Sequence, residues 1–216
     1  MRFLPLLMAT AGLVGACAGP SALPIEAGFG PDPRLPPPRG GLLPTVRIAP
    51  AVGWRDGQTP DPAPGFTVRA FASGLDHPRW LYRLPNGDIL VAETNAPPKP
   101  EDKRGGLRGW IMRQVMKQAG AGVPSADRIT LLRDADGDGV AEIRSAFVED
   151  LTSPFGMVLV EDRLYVANAD ALVVFPYAPG QTRIESPPVI VTPLPAGRNH
   201  HWTKSLTASP DGARLY

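Results

Sequence analysis

The 216-residue chain predicts an all-β fold, and three observations carry that expectation. It holds 27 Pro and 23 Gly, together about double the ~12 % usual for the two residues, so it turns often and leaves little room for long helices. From residue 65 onward, short runs rich in Val, Leu, Ile and Phe alternate with Pro, Asn, Asp and Gly, the texture of strands joined by tight turns. The third observation is a weak internal repeat. Residues 75–94 (LDHPRWLYRLPNGDILVAET), 151–170 (LTSPFGMVLVEDRLYVANAD) and 198–216 (RNHHWTKSLTASPDGARLY) share a polar lead-in, an apolar strand, a tight turn and a second strand of the LxVA or LY type. Their turns near Asn86, Asp162 and Asp211 lie 76 and 49 residues apart. A β-propeller blade takes about 40–50 residues, so the second spacing is one blade and the first is a blade with an insertion. About three blades are expected, and in such an array the loops leading into the innermost strands converge on one face. His77, Pro154, His200 and His201 would then meet at one mouth.

Taken in order, the chain begins with Met1-Arg2, a dozen or so mostly apolar residues over 3–14 and the small pair Gly15-Ala16, the pattern of an export signal over residues 1–16. It is shorter than the ~20 apolar residues a bilayer span needs. Val14-Gly15-Ala16-Cys17 resembles a bacterial lipobox, which makes Cys17 the lipidated first residue of the mature protein and places it on the periplasmic side of a membrane, held by lipid alone. The alternative is an ordinary secretory signal with a chance cysteine. Cys17 is the only cysteine, so no intrachain disulfide can form and apolar burial must hold the fold. Residues 17–64 read as an extended tether, because 12 of the 27 prolines fall between 18 and 64 and each fixes φ and removes a donor. Within it, PTVRIAPAVGW (44–54) is the exception, with Val46, Ile48 and Trp54 able to dock on a neighbouring surface.

The propeller part is expected over 65–216, with strands at 66–72, 80–84, 88–92, 128–133, 141–148, 157–160, 164–167 and 172–177. The insertion, 96–127, carries a helical pattern over 104–119, where Leu107, Trp110, Ile111, Val115 and Ala119 share a face and Arg108, Arg113 and Lys117 lie elsewhere. A single short helix between glycines is expected to pack beside the propeller or roof its mouth rather than to seek a membrane or nucleic acid. The formal net charge of +1 likewise gives no footprint for nucleic acid. Leu215-Tyr216 reads as the start of a strand without its partner, so the chain is expected to be the N-terminal part of a longer domain.

Two stretches could carry chemistry. In Asp134-Ala-Asp136-Gly-Asp138-Gly-Val-Ala-Glu142, carboxylates alternate around glycines, which lets one loop wrap a hard cation such as Ca²⁺. The match to a calcium loop is partial, since its twelfth position is Ser145, and a Gly/Asp hairpin turn is the competing reading. In either case the turn would be rigidified rather than catalytic. His200 and His201 admit three readings: general base, metal ligand or structural histidine. Adjacent residues on a strand face opposite ways, and no acid or histidine cluster completes a metal site, so at most one of the two faces the axis. There is no G-x-S-x-G elbow and no Gly-rich phosphate loop.

The blocks GLDHPRWLYRLPNGDILVAETNAPP, GAGVPSADRITLLRDADGDGVAE, LTSPFGMVLVEDRLYVANADALVVFPY and NHHWTKSLTASPDGARLY together resemble the glucose/sorbosone dehydrogenase family, most closely its sorbosone dehydrogenase branch, from about residue 44 to the last. The resemblance implies a six-bladed β-propeller that holds pyrroloquinoline quinone (PQQ) over its axis and oxidises sugar aldehydes or hemiacetals in the periplasm, passing electrons to a quinone or cytochrome. It implies that His201, ten residues before Asp211 of the SPDG turn, is the catalytic base, with His200, Trp202, Lys204 and Phe155 near the cofactor. His201 would take a proton from a substrate hydroxyl or aldehyde hydrate, so activity is expected to fall as the pH drops through its pKa. Sugar-oxidising relatives carry a carboxylate where this chain has His200, and Trp202-Thr203-Lys204 stand where they tend to have small or polar residues, which leaves aldose specificity open. A non-catalytic propeller lipoprotein that binds carbohydrate or a protein partner is the alternative; a metal-dependent lactonase lacks an evident ligand cluster. Because the family's cofactor-clamping basic residues and its calcium site come largely from later blades, the 216-residue piece alone is expected neither to bind quinone tightly nor to turn over substrate. A well-behaved, active monomer would contradict that expectation.

Overall fold

The computed structural model describes residues 23–36, 49–55, 57–97, 107–120, 123–196 and 201–216. It divides into two units, Met1–Ala51 with Ile111–Ala121, and Val52–Trp110 with Gly122–Tyr216. In the first, Ile25–Gly28 forms an exposed 3₁₀ turn. There the Ala51 N–H also donates to the Gln118 carbonyl at 2.9 Å. Residues 1–16, expected to be an export signal, and Cys17, Val46, Ile48 and His200 lie outside the described residues.

The second unit carries every strand among the described residues. β1 (Pro78–Arg83), β2 (Ile89–Glu93), β3 (Arg128–Arg133) and β4 (Ile143–Val148) form one antiparallel sheet in the order β1-β2-β3-β4. β5 (Met157–Val160), β6 (Arg163–Ala167), β7 (Ala171–Pro176) and β8 (Val189–Pro193) form a second in the order β5-β6-β7-β8. Each sheet is a four-stranded up-and-down meander, the unit from which propeller blades are built. The one α-helix among the described residues, α1 (Leu107–Gln118), lies in the segment between β2 and β3.

Apolar burial between the sheets holds them together. Leu90, Ala92, Ile129, Leu131 and Phe147 of the first sheet join Met157, Leu164, Val166, Val173 and Phe175 of the second in one cluster. Each large side chain buried there contributes roughly 1.5–3 kcal/mol. Polar contacts fix the sheets' relative position: the Leu159 N–H donates to the Tyr82 hydroxyl at 2.9 Å, and the Ile184 N–H to the Phe147 carbonyl at 2.8 Å.

Two buried carboxylates are neutralised in place. Asp88 receives both arms of Arg133, Nε to Oδ1 and Nη2 to Oδ2, at 2.7 Å each, and Arg133 also reaches the Gly180 carbonyl at 3.1 Å. Glu93, with no exposed surface, accepts from Arg128 Nε at 3.2 Å and Nη2 at 3.0 Å, from the Thr130 hydroxyl and from the Asp76 N–H. The Arg133 hydrogen bond holds Asp88 below the usual carboxylate range. For Glu93, burial pushes the value up, but the Arg128, Thr130 and Asp76 bonds together outweigh it, and the group is lowered.

Most expected strands are present within a residue or two, with three differences. Residues 66–72 form no strand: Phe71 accepts a single ladder bond from Ala141, and Phe66 stays 73 % exposed, because β4 begins only at Ile143 and offers no continuous partner. β8 was not expected, since Pro187, Pro188 and Pro193 crowd it; it lies at the sheet edge, where proline is tolerated. Of the expected apolar helix face, Trp110 in α1 is exposed and Val115 half-buried, and Ala119, just past the end of α1, is exposed.

Both acids have folded-state pKa values below those of the unfolded chain, so their contribution is fully present above the ordinary carboxylate range near pH ~4 and is lost as pH falls through the folded values. Glu93→Gln is expected to lower stability at pH 7 by about 2–3 kcal/mol and to flatten the loss of stability on acidification. Urea unfolding across pH 7 to 3 checks both, and an unchanged acid limb would contradict the assignment.

Candidate functional site

The site is built where the chain turns into the first strand of each repeat. Asp76-His77-Pro78, leading into β1, and Thr152-Ser153-Pro154, before β5, occupy the same place in the repeat. His77 and Ser153 both have positive φ, 54° and 45°, and both directly precede a proline. L-residues avoid that region, and a following proline narrows the choice further, so surrounding contacts must hold these turns. They do so in both places. His77 Nδ1 lies 3.0 Å from the Thr94 carbonyl, and the Thr94 N–H returns to the His77 carbonyl at 3.3 Å. The Ser153 N–H donates to Asp127 Oδ1 at 2.9 Å, an oxygen that also accepts the Ser125 hydroxyl at 2.5 Å.

Just past each proline, Arg79 and Phe155 take equivalent positions, and both meet Trp202 of the third repeat. The Arg79 guanidinium carbon lies 5.5 Å from the centre of the Trp202 ring. Trp202 meets Phe155 edge-to-face at 6.3 Å, and Phe155 tilts against Trp80 at 5.1 Å. Three repeats thus contribute to one aromatic stack.

A glycine makes the third repeat's approach possible. The Gly156 N–H donates to the Lys204 carbonyl at 2.9 Å, and a Cβ on Gly156 would sit 2.5 Å from the Leu206 nitrogen and 2.6 Å from the Lys204 oxygen. Beyond this contact, Thr207 and Tyr216 exchange backbone bonds at 3.0 and 2.8 Å around the Ala208–Leu215 bridge, a short hairpin rather than a full strand pair.

Of the residues singled out by sequence, Phe155 and Trp202 are in contact, and Lys204 lies on the segment bound to Gly156. His201 is exposed at the start of that segment, its carbonyl 3.5 Å from Lys204 Nζ. His77 directs its Nδ1 at Thr94. Arg79 and Trp80 were not singled out; the signal was available, since Arg79 occupies the repeat position of Phe155.

The acidic turn is well formed but remote. Asp134, Asp136, Asp138 and Glu142 bring carboxylate oxygens within 4.8 Å of one another. Asp134 accepts the Gly137 and Gly139 N–H groups at 2.7 and 2.9 Å, which hold its carboxyl below the usual range. The turn follows the C-terminal end of β3, whereas the stack stands at the N-terminal end of β1, the opposite end of the same sheet. A solvent-open groove of about 630 Å³ also lies at that far end, among Phe71, Arg83, Asp88, Ile89, Arg133 and Ile143. Neither can touch a ligand held at the stack.

Paired up-and-down sheets, with the leads into their first strands meeting in one stack, define a propeller-type chain with a single shared mouth. The chain belongs to the DUF7133 family, described as a domain of unknown function, which it matches over residues 63–216. Among solved structures, the holo form of the pyranose dehydrogenase PQQ domain from Coprinopsis cinerea is similar, with a TM-score of 0.48 and 16 % identity over 68 % of this chain and 28 % of that one. The match therefore spans little more than a quarter of that domain's length. No curated protein matches the chain.

Gly156→Ala is expected to cost about 1–3 kcal/mol by overpacking and to shift the Trp fluorescence as residues 204–206 are pushed away. A variant with wild-type stability in urea and an unchanged spectrum would contradict the close approach.

Proposed function

We propose that the chain is part of a PQQ-dependent dehydrogenase of the β-propeller kind, acting on a sugar or sugar aldehyde of the sorbosone or aldose class. The observation that supports this best is the convergence of Arg79, Trp80, Phe155 and Trp202, from three repeats, on the segment that begins with His201. The donor set suits a planar, carboxylate-bearing quinone: aromatic edges to line it, and the cation Lys204, which has no acidic partner among the described residues. When bound, the quinone supplies the two-electron acceptor for hydride. Phe155, Trp202 and Lys204 would hold it, and His200 is proposed with them from the sequence.

The chain's own contribution is orientation and proton transfer. Aromatic walls exclude water and fix the substrate's reacting carbon, which converts an encounter into a positioned reaction. The imidazole of His201 takes the proton from the substrate hydroxyl, or from the hydrate of an aldehyde, so its neutral form is the active one. Export, anchoring through a lipid on Cys17 at the periplasmic side, and delivery of electrons to a quinone or cytochrome complete the proposal. At the far turn, Asp134, Asp136 and Asp138, joined by Glu142, offer an all-oxygen set of the kind Ca²⁺ takes, and the ion would stiffen the β3–β4 connection.

In the full-length protein with PQQ and Ca²⁺, dye reduction by sorbosone or aldoses is the test. His201→Ala is expected to reduce turnover about 10²–10⁴-fold. No quinone-dependent activity would sink the enzyme reading in favour of a binding lipoprotein, and a His201→Ala enzyme as fast as wild type would sink the base. Separately, millimolar Ca²⁺ is expected to raise the melting temperature in wild type and not in Asp136→Asn; no rise in wild type would leave the turn a plain hairpin.

A further inference from the structure

Several arginines of the two-sheet unit are paired with acids; Arg79, like Arg83 and Arg163, has no acidic partner among the described residues, but it alone of these three lies over an aromatic ring. Arg128 pairs with Glu93 and Asp76, Arg133 with Asp88, Arg183 with Glu149, and Arg144 approaches Glu93 while binding the Ser73 and Gly74 carbonyls. Arg79 is exposed, has no acidic partner among the described residues, and rests instead on the face of Trp202. A guanidinium over an indole keeps its charge, and its N–H donors lie in the guanidinium's own plane, able to meet a flat two-oxygen anion. The acids at the same end of the first sheet are engaged elsewhere: Glu93 and Asp76 with Arg128, Asp127 with Ser125 and the Ser153 N–H. The strained turn at His77-Pro78 directs the chain so that Arg79, not a neutral residue, arrives at the position Phe155 takes in the next repeat.

We propose that Arg79, held on Trp202, is a specificity-determining residue that binds the carboxylate of an acidic sugar, so the preferred substrate class is uronate-like rather than neutral. This rests on the dehydrogenase reading for its chemistry but not for its binding. The carboxylate meets the two N–H groups of the guanidinium edge, a charge-assisted pair that a neutral sugar cannot form. Phe155 and Trp202 supply an apolar wall for the ring's C–H face.

The test uses the full-length protein, with D-glucuronate and D-glucose as probes, and reads binding by calorimetry and by quenching of Trp fluorescence, without turnover. Wild type is expected to bind glucuronate at least about tenfold more tightly than glucose. Arg79→Ala is expected to lose about ten- to a hundredfold in glucuronate affinity, the size of one charge-assisted contact, with glucose unchanged within about twofold. Arg79→Lys is expected to fall between. Circular dichroism and melting of the Arg79 variants report whether the exposed position has disturbed folding. Equal affinity for the two sugars, or equal loss for both in Arg79→Ala, overturns the proposal, as does an Arg79→Ala protein that loses PQQ binding but not glucuronate preference. Arg79-dependent glucuronate binding without quinone reduction sustains the anion site while rejecting the dehydrogenase reading; quinone reduction by neutral sugars that ignores Arg79 does the reverse.

Discussion

Everything in the two-sheet unit depends on the apolar layer between the sheets. With a single cysteine at position 17, the chain has no covalent staple, so the Leu90, Ile129 and Phe147 side must lock against the Met157, Leu164 and Phe175 side by packing alone. That layer does more than stabilise. It sets β1 beside β5 closely enough for Tyr82 to take the Leu159 N–H. The leads into those two strands are thereby brought together, and Trp80 reaches Phe155. The site is a consequence of the core.

Around that core, polar groups are placed where burial would otherwise penalise them. Glu93 ends β2 at the same end as the stack and gathers Arg128, Thr130 and the Asp76 N–H, so the turn before β1 is tied to the second and third strands. Asp127 plays the matching part for the turn before β5 through the Ser153 N–H. Glu93 thus holds the residue before His77 and Asp127 holds Ser153, in the two turns that lead to Arg79 and Phe155. The far end of the first sheet has its own arrangement in Asp88–Arg133 and the acidic turn, which reinforces the hairpins without sharing in the mouth.

Much of this was legible in the sequence. The strands β3 and β5 were readable to the residue because short, largely apolar runs stand there between strong turn signals; the repeat pointed to His77, Pro154, His200 and His201, whereas the contact that forms is between Phe155 and Trp202, which only the family resemblance had named. Residues 66–72 misled because alternation of apolar residues cannot report whether a partner strand extends far enough to pair. β8 was hidden by its prolines, whose cost vanishes at an edge. Arg79 escaped notice because a lone arginine on a strand looks like a solvated charge; only the neighbour at position 202, distant in sequence, gives it a face to rest on. Trp110 was expected on a buried face from helical spacing alone, which says which residues share a side but not what covers it.

The central claim is that three repeats meet in one stack, and a double-mutant cycle on Phe155→Ala and Trp202→Ala measures it most directly. Unfolding free energies of wild type, both single variants and the double variant are predicted to be non-additive, with a coupling of about 0.5–1.5 kcal/mol, the size of an edge-to-face aromatic pair. Additivity within error would mean that the third repeat does not reach the second, and would contradict the shared mouth.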